Sequence, residues 1–138
     1  MDTLTKIERS RIMGLVRSKD TRPELIVRRL LHSLGYRYRL HVRTLPGCPD
    51  LVFSSRRKVV FVHGCFWHRH ACAMGRRIPK SRVRFWTEKL EGNKRRDSKA
   101  LYILRRQGWK TLTVWECQLE DVEALGHCLK RFLGKLTK

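Results

Sequence analysis

Between Val59 and Cys72 the sequence places three histidines and two cysteines: His63, Cys65, His68, His70 and Cys72. The Phe66-Trp67 pair lies among them. Thiolate and imidazole are the ligands Zn²⁺ prefers, and imidazole also titrates near neutral pH. Cys65-x4-His70-x-Cys72 supplies three such ligands, and a tetrahedral structural zinc needs a fourth. Cys117 is the best candidate, because Cys128 falls inside a helical pattern and Cys48 sits beside Asp50. The thiols could instead be reduced cysteines packed as small hydrophobes. A long basic loop with little apolar content needs something to fix it, and that favours the metal.

A second constellation begins at Asp50, the carboxylate at the head of the apolar stretch Leu51-Val52-Phe53. A carboxylate there suits Mg²⁺ with phosphate oxygens completing the shell. His63 and His68 suit a general base or a transition-state partner. Phosphodiester hydrolysis needs metal charge on the phosphate and an activated water, and these residue types supply both. The plainer alternatives are a turn carboxylate after proline and a hydrogen-bonded histidine at a strand end. Phe66, Trp67 and Trp86 stand among arginines and lysines, where rings can stack on bases or wedge between them. They could also simply cover the loop. Lys89 and Asn93 share a helical face with Trp86, where an ammonium and an amide could read base edges.

These groups require particular elements. Val59 to Val62 and Leu51 to Phe53 read as strands joined by a turn at residues 54–57, a hairpin that sets Asp50 beside His63. Gly64 is expected to let the backbone turn after the second strand. Thr21-Arg22-Pro23-Glu24 is a capping box, and Ile26, Val27, Leu30, Leu31 and Leu34 continue it as a core helix ended by Gly35. Glu24 is then either only the capping partner or a carboxylate at the edge of the centre. An edge strand is expected over 36–41, helices over 81–90 and 93–106 (separate or continuous past Gly92), a strand over 109–115 and an amphipathic helix over 122–136. The order implies an α/β fold with a mixed sheet covered by helices. Residues 5–16 read as a short basic helix, either docked loosely on the surface or lying against DNA with Met13 as an apolar wedge.

The chain has 138 residues, suited to one domain over 1–138 with residues 1–20 as an arm. Its formal charge of +20 calls for a polyanionic partner, and nucleic acid fits better than membrane because no basic amphipathic helix carries bulky apolar anchors. Residues 76–110 alone hold thirteen Lys/Arg against three acids. No apolar run approaches the roughly 20 residues that span a bilayer. The opening six residues show no signal-peptide core, so a cytosolic protein with metal-bound or free thiols is expected.

The blocks Pro-Gly-Cys-Pro-Asp50, Val-His63-Gly-Cys-Phe-Trp-His68-x-His70-x-Cys72, Phe85-Trp86-x-x-Lys89-x-x-x-Asn93, Arg96-Asp97 and Trp115-Glu116-Cys117 resemble the very short patch repair (Vsr) endonucleases. The resemblance spans about Lys6 to Cys117. It implies a restriction-endonuclease-like fold in a bacterial cytosol, with structural zinc on Cys65, His70, Cys72 and Cys117. It further implies Mg²⁺-dependent nicking of duplex DNA 5′ to the thymine of a T·G mismatch. Carried over by position, Asp50 and the backbone carbonyl of Val62 match Mg²⁺ ligands, Val62 standing where relatives can carry threonine. His68 matches the residue that helps activate water, His63 and Glu24 supporting groups, and Asp97 a residue that orients a histidine. Phe66, Trp67 and Trp86 match wedging rings, Met13 a minor-groove contact, and Lys89 and Asn93 contacts to the mispair. Arg69 and Ala71 interrupt what can be a longer histidine run, Cys48 has no assigned role, and the chain ends soon after its last helix. A monomer is expected, since one T·G site is asymmetric, and other mismatch-repair proteins are further candidate partners. Two rivals remain: a restriction-type nuclease of this fold acting on matched DNA, and a non-catalytic zinc DNA-binding module.

Overall fold

A computed structural model of the chain describes residues 21–136. The arm expected over 1–20, with Met13, lies outside the described residues.

Helix α1 spans Arg22–Ser33. The Thr21 hydroxyl accepts the Glu24 amide at 3.4 Å, and Pro23 costs nothing in a first turn whose N–H groups lack helical partners. At the far end Gly35 takes φ +93° and the Tyr36 N–H returns to the Leu31 carbonyl at 3.1 Å, a Schellman-type stop. Tyr36 is therefore engaged in ending the helix, and strand β1 is only Arg39–Leu40, shorter than the 36–41 expected. His41, at φ +47°, ends it on the other side.

β2 (Leu51–Phe53) and β3 (Lys58–His63) form the expected hairpin, closed by a 3₁₀ turn at Ser54–Arg56 and left-handed Arg57. The sheet order is β1-β2-β3-β4, with β4 spanning Lys110–Trp115. The first two pairings are antiparallel and β3–β4 is parallel, in register from Lys58↔Lys110 to His63↔Trp115. A parallel pair needs a long crossover, supplied here by the loop 64–82 and helix α2, Val83–Arg106. At 1.5 Å per residue α2 is about 36 Å long. It runs unbroken past Gly92. A second 3₁₀ turn, Glu116–Glu120, leads to α3, Val122–Leu133, which stops three residues short of the expected end where Gly134 takes φ +83°.

Strand alternation sorts the core onto two faces. Leu51, Phe53, Val60 and Val114 pack with Val27 and Leu31 of α1 and Leu125, Leu129 and Leu133 of α3. Val52, Val59 and Phe61 pack with Leu104 of α2 and with Trp109. The result is a mixed four-stranded sheet flanked by three helices. His63 continues the parity of Val59 and Phe61, and Asp50 that of Val52. Both are thus sent to the face covered by α2. Among the described residues no helix is long and apolar enough to cross a membrane.

Candidate active site

A cleft of about 270 Å³ opens where β2 and β3 end, lined by His41, Asp50, Val62, His63, His68 and Asp97 among others. Asp50 Oδ2 accepts the Val62 N–H at 2.7 Å. Within a strand the N–H and C=O of one residue face the same edge. The Val62 carbonyl therefore also opens toward Asp50, beyond the last β2–β3 pair, Leu51↔Val60. Glu24, 1% exposed, comes from the first turn of α1 and lies with Asp50 and His41 so that their ligand atoms fall within 4.8 Å of one another. Burial pushes the Asp50 carboxyl up to about 7; the Val62 hydrogen bond opposes this and the Glu24 carboxylate adds to it. Two carboxylates forced together in a half-buried cleft favour a shared proton or a cation, and their hard oxygens fit Mg²⁺.

His63, 7% exposed, lies flat on His68 with ring centroids 3.7 Å apart and planes within 7°. Asp97, from the middle of α2, meets His68 Nδ1 at 2.5 Å. Burial, then the neighbouring His68, pushes the His63 imidazole down to about 4, so it stays neutral. The stacked pair with Asp97 can hold and pass a proton, and His63, His68 and Asp97 also bring ligand atoms within 4.8 Å of one another.

The thiol cluster lies on the other side of His63. Cys65, His70, Cys72 and Cys117 offer ligand atoms within 4.8 Å of one another. Cys117 Sγ is 3.6 Å from His70 Nδ1, and the Cys117 N–H points at Cys65 Sγ at 3.4 Å. These spacings fit a tetrahedral Zn²⁺ with Zn–S of about 2.3 Å and Zn–N of about 2.0 Å. Cys65 is 1% exposed and burial pushes its thiol up to about 12, whereas the Gly75 N–H brings Cys72 down to about 7. A cation would reconcile the two by stabilising both thiolates. The turn carrying these ligands opens at Gly64, whose carbonyl accepts the His68 N–H at 3.2 Å, and runs through left-handed Arg69, φ +54°. Arg69 reaches Glu91 at 3.5 Å and the Arg77 carbonyl at 3.0 Å, tying the loop to α2 and to itself.

Phe66, Trp67 and Trp86 form a ring cluster with centroids 5.2–5.9 Å apart, all partly exposed beside the cleft. Lys89 is exposed one turn along α2. Asn93 lies a further turn along α2 and already has partners within the protein. Its Nδ2 donates to the Trp67 carbonyl at 3.1 Å and its Oδ1 accepts from Arg96, so both ends of the amide are engaged.

Two residues escaped sequence reasoning. His41 faces Asp50 by the register Leu40↔Leu51, a pairing visible only once the short edge strand is aligned. Trp115 stacks on His70, centroids 4.2 Å apart and 19° between planes. Its position two residues before Cys117 was the available signal.

A cleft joining a strand-end carboxylate and a helix carboxylate to a carboxylate-held histidine, on a strongly basic α/β chain, is suited to hydrolysing phosphodiesters. The profile of the family described as "DNA mismatch endonuclease Vsr" matches residues 1–74. The type II nicking enzyme V.XorIIP of Xanthomonas oryzae pv. oryzae is 52% identical over 132 residues, covering 96% of each chain. The type II nicking enzyme V.NmeAIP of Neisseria meningitidis is 41% identical over 135 residues, covering 98% of this chain and 96% of its own. The DNA mismatch endonuclease Vsr of Escherichia coli is 40% identical over 124 residues, covering 90% of this chain and 79% of its own. The chain belongs to the Vsr family of DNA endonucleases.

Proposed function

We propose that this protein nicks one strand of duplex DNA 5′ to the thymine of a T·G mismatch, by Mg²⁺-dependent hydrolysis that leaves a 5′-phosphate. The observation that carries the reading is the convergence of Asp50, Glu24, His63, His68 and Asp97 on one cleft beside a partly exposed aromatic cluster. The name of the Escherichia coli relative supports the mismatch substrate.

Asp50 and the Val62 carbonyl would hold Mg²⁺, with Glu24 beside them. The ion would place positive charge on the scissile phosphate and lower the barrier to charge build-up there. His68 has Nδ1 committed to Asp97, so Nε2 is the atom that takes the proton of the attacking water. Asp97 stabilises the imidazolium so formed, while neutral His63 supports the ring from below without repelling it. Water then bonds to phosphorus, the P–O3′ bond breaks, and the leaving oxygen takes up a proton. Phe66, Trp67 and Trp86 wedge into the duplex beside the mispair, and Lys89 lies against it. Asn93 serves first as the support that fixes the Trp67 backbone. Structural Zn²⁺ on Cys65, His70, Cys72 and Cys117 would hold the loop that presents Phe66 and Trp67 against Trp86 of α2. Residues 1–20, with Met13, act as an arm on the same single domain, in a monomer working in the bacterial cytoplasm.

The test is nicking of a labelled duplex with one T·G mismatch in a cytosine-methylation context, with Mg²⁺ or EDTA, beside matched DNA and Asp50→Ala. A Mg²⁺-dependent nick on the thymine strand alone, lost in the variant, is expected. Binding without nicking would select the zinc DNA-binding module. Equal cutting of matched DNA would select a restriction-type nuclease.

A further inference from the structure

His41 lines the active-site cleft without a role in the reaction as described above. Its Nε2 lies 2.9 Å from both carboxylate oxygens of Glu24. A carboxylate presents acceptors, so Nε2 carries the proton and donates to the pair together. The His41 backbone N–H donates to the Asp50 carbonyl at 3.1 Å. One residue thus grips Glu24 with its side chain and the Asp50 segment with its main chain. Among the described residues Glu24 also accepts a longer contact from Arg28 at 3.4 Å and lies against the Asp50 carboxyl. His41 also holds a left-handed backbone, φ +47°, which most side chains avoid and which His, Asn and Asp enter more readily. That conformation ends β1 and turns the ring back over the cleft.

We infer that His41 is a positioning residue for the cation-binding pair, clamping the Glu24 carboxylate against Asp50 so that both face one Mg²⁺. The inference rests on the metal-dependent reading above. Glu24 comes from α1 and Asp50 from the residue just before β2, two segments that are far apart in sequence. Without the clamp, Glu24 is free to rotate away from Asp50 toward Arg28, which leaves the cation with one carboxylate. Outer contacts of this kind typically change metal affinity or activity by about 10- to 100-fold.

Three substitutions separate the side chain from the backbone. His41→Ala removes the donor. His41→Asn keeps the tolerance for a left-handed backbone, but its amide stops near the place of Nδ1 and does not reach Glu24. His41→Gln carries a neutral N–H donor to about the reach of Nε2. Two readouts are taken on the full chain with zinc retained: the Mg²⁺ concentration for half-maximal nicking of the T·G duplex, and Mn²⁺ binding followed by electron spin resonance with no DNA. Ala and Asn are expected to need about 10- to 100-fold more Mg²⁺ and to weaken Mn²⁺ similarly, with Gln recovering most of the loss. Unchanged metal dependence in both Ala and Asn overturns the inference, as does Asn matching the wild type, which would leave only a backbone role. Mn²⁺ binding that is intact in the wild type and weakened in Ala, with no nicking of T·G DNA, would sink the proposed substrate and leave His41 as the clamp. A wild type that binds no Mn²⁺ would overturn the clamp itself.

Discussion

Strand β3 and the loop that follows it meet at His63, yet different forces order them. In Lys58–His63 the residues Val59, Val60, Phe61 and His63 are all buried, and the strand is paired on both sides. In residues 64–82 only Cys65 and Gly75 are buried, and the loop carries exposed Met74 and Ile78 and a series of arginines. Packing can hold the strand. The loop has too little apolar burial to offset the entropy of ordering its backbone, roughly 1–2 kcal/mol per residue. Its other ties among the described residues are polar or ring contacts: Arg69 to Glu91, Asn93 to the Trp67 carbonyl, His68 to Asp97, His70 stacked on Trp115, His68 on His63, and Phe66 and Trp67 against Trp86. The difference teaches that one side of the cleft is built by the hydrophobic effect, while the other carries the Cys65, His70, Cys72 and Cys117 group, where the proposed zinc would hold it.

Stripping the proposed zinc should break that comparison most sharply. Structural zinc contributes about 10–16 kcal/mol in small zinc-dependent peptides, enough to decide whether a loop of this kind is ordered. Cys117→Ser, or a strong chelator, is expected to release stoichiometric zinc and to abolish nicking. The near-ultraviolet signal of Trp67 and Trp115 should fall while far-ultraviolet ellipticity is largely kept. Loss of the whole fold would mean that the sheet also depends on the metal. No change in either signal would mean that the loop is held by packing after all.

The strand side of the site has the opposite character, since function there works against stability. An unfolded aspartate ionises near 3.8, whereas burial raises Asp50 to about 7 in the fold. Between those values the folded state keeps a proton that the unfolded state has released. Stability of the Mg²⁺-free protein therefore falls as pH rises from about 4 to about 7, and levels off above. At 1.36 kcal/mol per pKa unit the loss is at most about 4 kcal/mol. Asp50→Asn cannot ionise and still accepts from the Val62 N–H. It is expected to be more stable than the wild type in urea at pH 8, to converge with it near pH 4, and to lose nicking. Parallel stability curves for the two proteins across this range would refute the account. Mg²⁺ should raise the melting temperature of the wild type alone.

What the sequence made legible follows the same division. The β2–β3 hairpin and the placing of Asp50 and His63 in one cleft were readable because a strand has period two and the turn at 54–57 sets its register. The Cys65, His70, Cys72 and Cys117 grouping was readable because ligand types are few. His41 was not, since its place depends on a two-residue edge strand and on a left-handed φ that leaves no pattern. Asn93 was read on the correct helical face, but its engagement by Trp67 and Arg96 arises from tertiary contacts that helical periodicity cannot reveal. The single helix through Gly92 shows tertiary packing at Leu90 and Ala100 overriding one poor helix former.

Gly75 offers a gentler way into the loop than removing a ligand. A Cβ built there would lie 1.8 Å from the His70 carbonyl oxygen, a backbone atom that cannot swing aside. Gly75→Ala must therefore move the His70 segment and, with it, one zinc ligand. Overpacking of this sort costs about 1–3 kcal/mol and occasionally more. The expected outcome is faster zinc loss to a competing chelator and a reduced nicking rate, with urea unfolding of the sheet little changed. Zinc retention equal to the wild type would show that the loop accommodates the methyl elsewhere.

Gly92 is the counterpart on the helix that supports the loop, and the smallest effect belongs to it. A Cβ there meets only the flexible ends of Arg96 at 3.8 Å and Arg95 at 4.0 Å. In a helix interior, alanine is favoured over glycine by about 0.5–1 kcal/mol. Gly92→Ala should therefore raise the melting temperature by a few degrees, since about 1 kcal/mol moves a domain of this size by roughly 2–8 °C. The loop's ties to α2 flank this residue at Glu91, Asn93 and Asp97. If those ties ordered the loop, stiffening the helix between them would slow zinc release as well. If ligation orders it, the melting temperature rises and the zinc off-rate stays where it was, which is the outcome expected here.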